Sequence, residues 1–473
     1  MAQITKDVAR EIIEDFASDI ARAKSADGPK PQKEVIDFRN EKRDGVERVV
    51  YTVPISLLRF RKENGRIASD VLAYEKGHGV LREDVSEHQK ILAGFLRDKD
   101  PDTTEILKKS VQQKGQEDPA IITADGFLIN GNRRKLVLEM LWEGSSHDPR
   151  FERMKVVILP GKDDPGGTPT NREIEQIENR YQLYKDGKSE YSNFDRALSV
   201  RRKIDSGMSL EEQLRDDPAT SGISDRDFKK EVQRYQDEFL GPLTCADRYL
   251  EAIGREGIYT LISSGKGDRE NRWQAFIDYY KFYKRLQDPA ERVKVGVEEK
   301  EVGKLEAMAF SLIRLRDFSN LGIKLHMLIR KLPKYVAHPY AKKELLQISS
   351  LGHDVEDTSK KGDSSSPEEL DKRWVNANQT DIKRQVHKAQ EIIERIEVME
   401  TPITLLRQAL DKLTDDNMDP ASIKYNDVPE ALRLAQGLKD RVEELRKEFY
   451  QHQKVGEDYI SKNNNKTPKR NGS

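Results

Sequence analysis

The sequence predicts an α+β protein: a small α/β unit, then a helix-turn-helix-like bundle, then a long all-α C-terminal region. Three observations carry this. Between residues 49 and 159, short apolar runs alternate with glycine turns and amphipathic stretches. Residues 192–240 read as three helices joined by short Ser/Gly turns. From Thr244 onward the apolar residues recur at helical spacing almost throughout. The expected organisation is an N-terminal amphipathic helix and linker (1–32), the α/β domain (33–160) and a helix-turn-helix-like domain (171–243). A helical domain (244–356), a helical hairpin or coiled coil (369–460) and a disordered tail (461–473) follow.

Composition bounds the function. At 473 residues two or three domains are expected, and 36% hydrophobic with 35% charged residues describes a solvated, helix-rich chain. The net charge of -1 provides no global attraction to nucleic acid or an anionic membrane. The single cysteine, Cys245, excludes disulfide frameworks and cysteine zinc sites and fits a reducing compartment. Met1 to Lys24 places Val8, Ile12, Ile13, Phe16 and Ile20 on one face but lacks the apolar core of a signal peptide, and no later run suits a membrane span. The expectation is a cytoplasmic protein with no membrane partner.

The elements follow in order. Ser25–Gln32, with Gly28, Pro29 and Pro31, reads as a linker. Val49–Leu58 reads as an edge strand, followed by Asn64-Gly65-Arg66. Leu107–Lys114 reads as a helix stopped by Gly115, with a strand after Pro119. Phe127–Asn130 reads as a strand entering a turn at Gly131, and Lys135–Trp142 as a helix with two arginines, Arg133 and Arg134, at its start. Glycine permits close approach of the backbone to an anion. Helix-start N–H groups and guanidinium forks then favour phosphate there; two solvated arginines on a βα turn is the bland alternative.

Downstream, Thr170 or Asn171 is a cap for a helix bearing Glu178 and Asn179. Helices over Ser192–Ile204, Leu210–Arg215 and Asp225–Phe239, with Leu210, Leu214, Ile223, Phe228 and Val232 as core, are compatible with a helix-turn-helix. Nine Lys/Arg face eleven Asp/Glu across 192–240, a weak basis for phosphate neutralisation, although Arg226, Lys229, Lys230 and Arg234 form one basic stripe. Trp273, Phe276, Tyr279, Tyr280, Phe282 and Tyr283 read as core rather than a base-stacking platform. Leu312–Leu332 reads as helical with a basic face, and Asp357–Glu368 as an exposed linker. Heptad-like spacing from Ile382 to Ile396 and from Ala431 to Phe449 predicts a hairpin or a dimerising coiled coil.

Ser110, Gly115, Pro119, Gly131, Arg133, Arg134, Glu178 and Asn179, in this order and spacing, resemble the motifs of the ParB family, within the ParB/sulfiredoxin-like superfamily. The resemblance covers roughly residues 48–240. It departs from the family in several places: Asn132 stands where glutamate is usual, Asn64-Gly65 replaces Gln-Pro, and Gln182 replaces an arginine. The turn lacks the cysteine of sulfiredoxin chemistry, and Lys62–Thr104 looks like an insertion.

The resemblance implies a nucleotide site for CTP or ATP with Mg2+. Gly115, Gly131, Asn132, Arg133 and Arg134 would hold the phosphates, and Arg66 would approach from the first strand. Asn179 would ligate Mg2+ and Glu178 would orient water or the metal shell as the catalytic residue. Glu178 simply pairing with Arg180 or Lys185 is the alternative. The stripe Arg226, Lys229, Lys230 and Arg234 would meet DNA. Three functions follow: a nucleotide-gated DNA-associated protein with slow Mg-dependent triphosphatase activity; a nucleotide-using kinase or nuclease; or a nucleotide-responsive interaction protein of a mobile-element or phage-defence system. A homodimer, or a partner protein bound through the C-terminal helices, accompanies the first and third.

Overall fold

The computed structural model describes residues 8–27, 32–39, 41–183, 192–217, 220, 222–263, 269–351, 366–415 and 418–464. The chain divides into two compact units, Met1–Ile393 and Glu394–Ser473. Residues 28–31 and 357–365 of the two expected linkers, Lys185 and the end of the tail lie outside the described residues, and Ser25 to Asp27 belong to helix rather than linker.

The first unit opens with helices α1 (Glu14–Asp27) and α2 (Glu41–Asp44) around a five-stranded mixed sheet. Its strands are β1 (Lys33–Glu34), β2 (Arg48–Pro54), β3 (Ala120–Ile122), β4 (Leu128–Asn130) and β5 (Arg153–Ile158), in spatial order β1-β2-β5-β3-β4. β3 runs parallel to β5 and every other pair is antiparallel. Pro54 has no N–H to give, and the predicted strand ends there, with a 3-10 turn over Ile55–Leu57.

The two-residue period of the strands sorts side chains into two cores. Val53, Ala120, Ile122, Met154 and Val156 enter one, with Ile20 of α1. Val50, Ile121, Ile129 and Val157 enter the other, with Ile36 and Phe38. Four helices serve the first core: α3 (Ala68–His78), α4 (Ser86–Lys99), α5 (Pro101–Lys114) and α6 (Asn132–Gly144). Residues 62–104 therefore supply core, since Ile67, Val71, Leu92 and Leu96 are buried there. Helix α7 (Asn171–Leu183) covers the second core through Ile174 and Ile177.

Helices α8 (Asn193–Asp205), α9 (Leu210–Arg215) and α10 (Asp225–Tyr235) start on serine caps: Ser192, Ser209 and Ser224 each accept a backbone N–H three residues on. Then come α11 (Gly241–Ala252), α12 (Thr260–Ser263), α13 (Arg269–Gln287), α14 (Pro289–Lys294), α15 (Val302–Leu315), α16 (Leu325–Ala337) and α17 (Pro339–Leu346). Helix α18 (Pro367–Leu413) runs through the border of the two units, and α19 (Val428–Asn464) follows.

One hydrophobic core joins Phe194 of α8, Phe228 of α10, Trp273 and Phe276 of α13, and Ile382 to Ile393 of α18. It does not break at 243/244, where Leu243, Cys245 and Ala246 are all inside it. The aromatic segment 273–283 is core, as predicted. The helical pattern over Leu312–Leu332 is two helices rather than one. Arg316 adopts a positive φ of 70° and Gly322 a left-handed conformation between them. Arg314 leaves the expected basic face because it is buried, paired with Asp371 at 2.6 Å and 4.4 Å above the Trp374 ring. No helix among the described residues is long and apolar enough to cross a membrane.

Candidate functional site

The βα turn forms as the sequence predicts. Gly131 caps α6 with φ 93°, and no side chain caps that helix start. Glycine is required twice over: the left-handed backbone disfavours other residues, and a Cβ would lie 2.6 Å from the Ala120 Cβ. Asn132 is buried, and its Oδ1 has no hydrogen-bond partner. Gly115 ends α5 with φ 75° and open space where a Cβ would stand, a helix-stop role.

The two arginines point to acceptors of the protein itself. Arg133 Nη2 lies 3.0 Å from Asp100 Oδ2, at the start of α5. Arg134 Nη1 donates to the carbonyls of Asp118 and Pro119, the latter at 3.1 Å. Burial lowers the Arg134 pKa. Lys135 is buried beside Glu139, its ammonium 3.9 Å from the Phe60 ring centre, and burial lowers its pKa too. Phosphate at this turn would have to displace Asp100 from Arg133.

Glu178 and Asn179 are buried where α7 meets the helical bundle. Glu178 Oε1 accepts the Gly65 N–H at 3.2 Å. Its Oε2 lies 3.6 Å from Arg61 Nη1 and 3.8 Å from Arg202 Nη2. Glu175, one turn earlier, holds the same two cations, Arg61 at 3.3 Å and Arg202 at 2.9 Å. The Asn179 amide spans to the bundle: Nδ2 donates to the Gln213 carbonyl at 3.1 Å, and Oδ1 accepts from Lys203 Nζ at 3.1 Å. Arg180 does not serve Glu178; it pairs with Asp37 and Asp216. Arg66 is half-buried in the 3-10 turn Gly65–Ile67, its N–H bonded to Asn64 Oδ1 at 3.0 Å.

The electrostatics follow from burial. Desolvation opposes charge on Arg61, but Glu178, Glu63, Glu175 and Glu83 outweigh it and raise its pKa. Burial lowers the Lys203 pKa against the attraction of Glu178 and Glu175. Glu83 is pushed up to about 8, first by burial and then by the neighbouring Glu63 carboxylate, while Lys62 N–H donates to it at 2.5 Å. Glu63 and Glu83 thus share a proton near neutrality.

Sequence reasoning missed Arg61, Glu175, Arg202 and Lys203. Glu175 and Glu178 stand three apart on one helical face, a signal that was there to be used. Arg201, Arg202 and Lys203 are among the nine cations of 192–240, yet Arg201 engages Asp247 and Tyr259, and the other two turn inward. Arg226, Lys229, Lys230 and Arg234 are all exposed on α10, as a stripe requires. Two of them are neutralised locally: Lys230 by Asp227 at 2.8 Å, and Arg234 by Glu231 and Glu238.

The donors fit a phosphate and a Mg2+ ion in kind. Helix-start N–H groups and Arg133 suit phosphate, whereas the orphaned Asn132 Oδ1 is an acceptor and does not; a carboxylate beside an amide oxygen is a hard-cation set, already held here by Arg61, Arg202 and Lys203. Among the described residues no cluster of three or more His, Cys, Asp or Glu could hold a metal by itself. A cavity of about 230 Å³ against α7, lined by Asp37, Phe38, Arg39, Glu173, Gln176, Ile177 and Arg180, is below the size range of small-molecule pockets. Compared with known proteins, the chain matches no family model, no curated protein and no solved structure.

Proposed function

We propose that this chain is a ParB-like, nucleotide-responsive protein associated with DNA, in which CTP or ATP with Mg2+ changes how α7 grips the helical bundle. The observation that carries this reading is the double engagement of α7. Glu178 bonds Gly65 and Arg61 of the α/β unit, while the adjacent Asn179 bonds Lys203 and Gln213 of the bundle. A ligand drawing on either residue must loosen a bond that ties the two parts together. That is a switch by exchange of partners.

A bound nucleotide would supply phosphate charge, and Mg2+ would supply positive charge to offset it. Gly131 and the first N–H groups of α6 would receive the phosphate, and Arg133 would leave Asp100 to neutralise it. Asn179 Oδ1 would leave Lys203 for the metal shell. Glu178, held by Arg61, would orient water.

Calorimetric titration with CTP, ATP and GTP in the presence of Mg2+ tests the reading. Binding of one nucleotide in the micromolar range, lost in Arg133→Ala and tightened several-fold in Asp100→Asn, is the expected outcome. No binding to the wild-type chain or to Asp100→Asn would reject it. The interaction-protein reading has its own support, because Lys230 and Arg234 are neutralised within α10. Nucleotide binding without retention of duplex DNA at low salt would favour that second reading.

A further inference from the structure

Lys203 is answered at α7 by a neutral oxygen rather than by a carboxylate. Two lysines are buried among the described residues, Lys135 at 3% exposed and Lys203 at 2%. Lys135 has the Glu139 carboxylate on its own helix. Lys203, on α8, has no carboxylate of the described residues in ion-pair contact; its ammonium meets Asn179 Oδ1 at 3.1 Å. Burial opposes that charge, and Glu178 and Glu175 support it from longer range. The same amide is anchored at its other end, where Asn179 Nδ2 donates to the Gln213 carbonyl at 3.1 Å. Its oxygen therefore keeps its aim whether or not Lys203 is there. Beside it, Glu178 Oε2 stands 3.6 Å from Arg61 Nη1 and 3.8 Å from Arg202 Nη2, beyond hydrogen-bond length.

We propose that the Lys203 ammonium is a tethered cation that takes the place of the metal ion beside Asn179 and Glu178 until a nucleotide brings one. This rests on the Mg2+-nucleotide reading and adds its regulation. A carboxylate and an amide oxygen packed inside a fold need a cation to offset their desolvation. Lys203 supplies it from the chain itself. An ammonium and a divalent ion at one amide oxygen repel strongly in a low-dielectric interior, so Lys203 must withdraw for Mg2+ to enter. The bond it gives up ties α8 to α7. The helical bundle thus opposes metal entry through Lys203, and by reciprocity metal entry weakens the hold of α7 on α8.

Calorimetric titration of the full-length chain with the nucleotide that the wild type binds, once with Mg2+ and once with EDTA, tests this. The readout is the ratio of the two affinities. Lys203→Gln, which keeps a donor for Asn179 but no charge, and Lys203→Met should each raise the preference for Mg2+ by about tenfold, a typical coupling. Arg201→Gln removes a cation of α8 that engages Asp247 and Tyr259, and should leave the ratio unchanged. An unchanged ratio in both Lys203 variants would overturn the proposal. So would affinity lost equally with Mg2+ and with EDTA, which would make Lys203 a phosphate contact. Loss of the wild-type circular dichroism in both variants would make the ammonium part of the scaffold, and would overturn it too. Failure of the nucleotide reading looks different: neither the wild type nor Asp100→Asn binds any nucleotide in either condition, and Lys203 then has no ion to stand for.

Discussion

Helix α7 buries charge, whereas α18 beyond Ile393 and α19 leave apolar side chains exposed, and the two regions differ in how much of their partnering lies within the chain. At α7 every buried ion has an answer inside the chain: Arg61 and Arg202 lie between Glu175 and Glu178, and Lys203 reaches Asn179. In residues 394–464 apolar positions such as Leu410 and Val442 have no comparable cover. Charge cannot wait in a low-dielectric interior for a visitor, because the desolvation cost falls on the folded monomer. Apolar surface can wait in water at modest cost. The first region is thus specified by the fold, and the second leaves its apolar positions in water.

Substitutions can break this contrast. Arg61→Ala should have the largest effect, since it strands Glu175 and Glu178; a loss of about 3–5 kcal/mol in urea unfolding is expected. A loss below about 1 kcal/mol would mean that water reaches the network and that burial is not what specifies it. Glu83→Gln should act next, and its sign depends on pH. The Glu83 pKa is raised to about 8, so the folded protein holds a proton that the unfolded chain has released. Its contribution is therefore complete below the ordinary carboxylate range and is lost as pH rises through about 8. The glutamine variant should exceed the wild type by on the order of 1 kcal/mol at about pH 9 and lose that advantage at about pH 5. Equal pH profiles would remove the shared proton between Glu63 and Glu83. Smallest is Leu410→Gln, within about 0.5 kcal/mol for unfolding of Met1–Ile393. A large effect there would show that this exposed position is covered within the chain after all.

The parts of the fold that sequence could indicate are those set by local chemistry. Gly115 and Gly131 stop and start helices through backbone conformations that few other residues adopt, and the serine caps mark α8, α9 and α10. The break at Arg316 was invisible, because a non-glycine residue with positive φ is held there by tertiary contacts such as the Arg316–Asp371 pair. The same holds for the site. Arg133, Arg134, Glu178 and Asn179 could be found by motif, but not their occupation by Asp100, by the Asp118 and Pro119 carbonyls, by Arg61 and by Lys203. Those partners lie 15 or more residues away along the chain, and neither period nor propensity records such pairings.

The core that runs unbroken from Phe194 to Ile393 has a mechanical consequence. The Phe194 ring on α8 meets Trp273 on α13 edge to face at 5.3 Å, so the helix-turn-helix-like part is not a detachable reader. It shares one buried core with the helices that follow it, up to Ile393. Amide protons on α8 and α13 should then exchange with a single opening energy, rising and falling together.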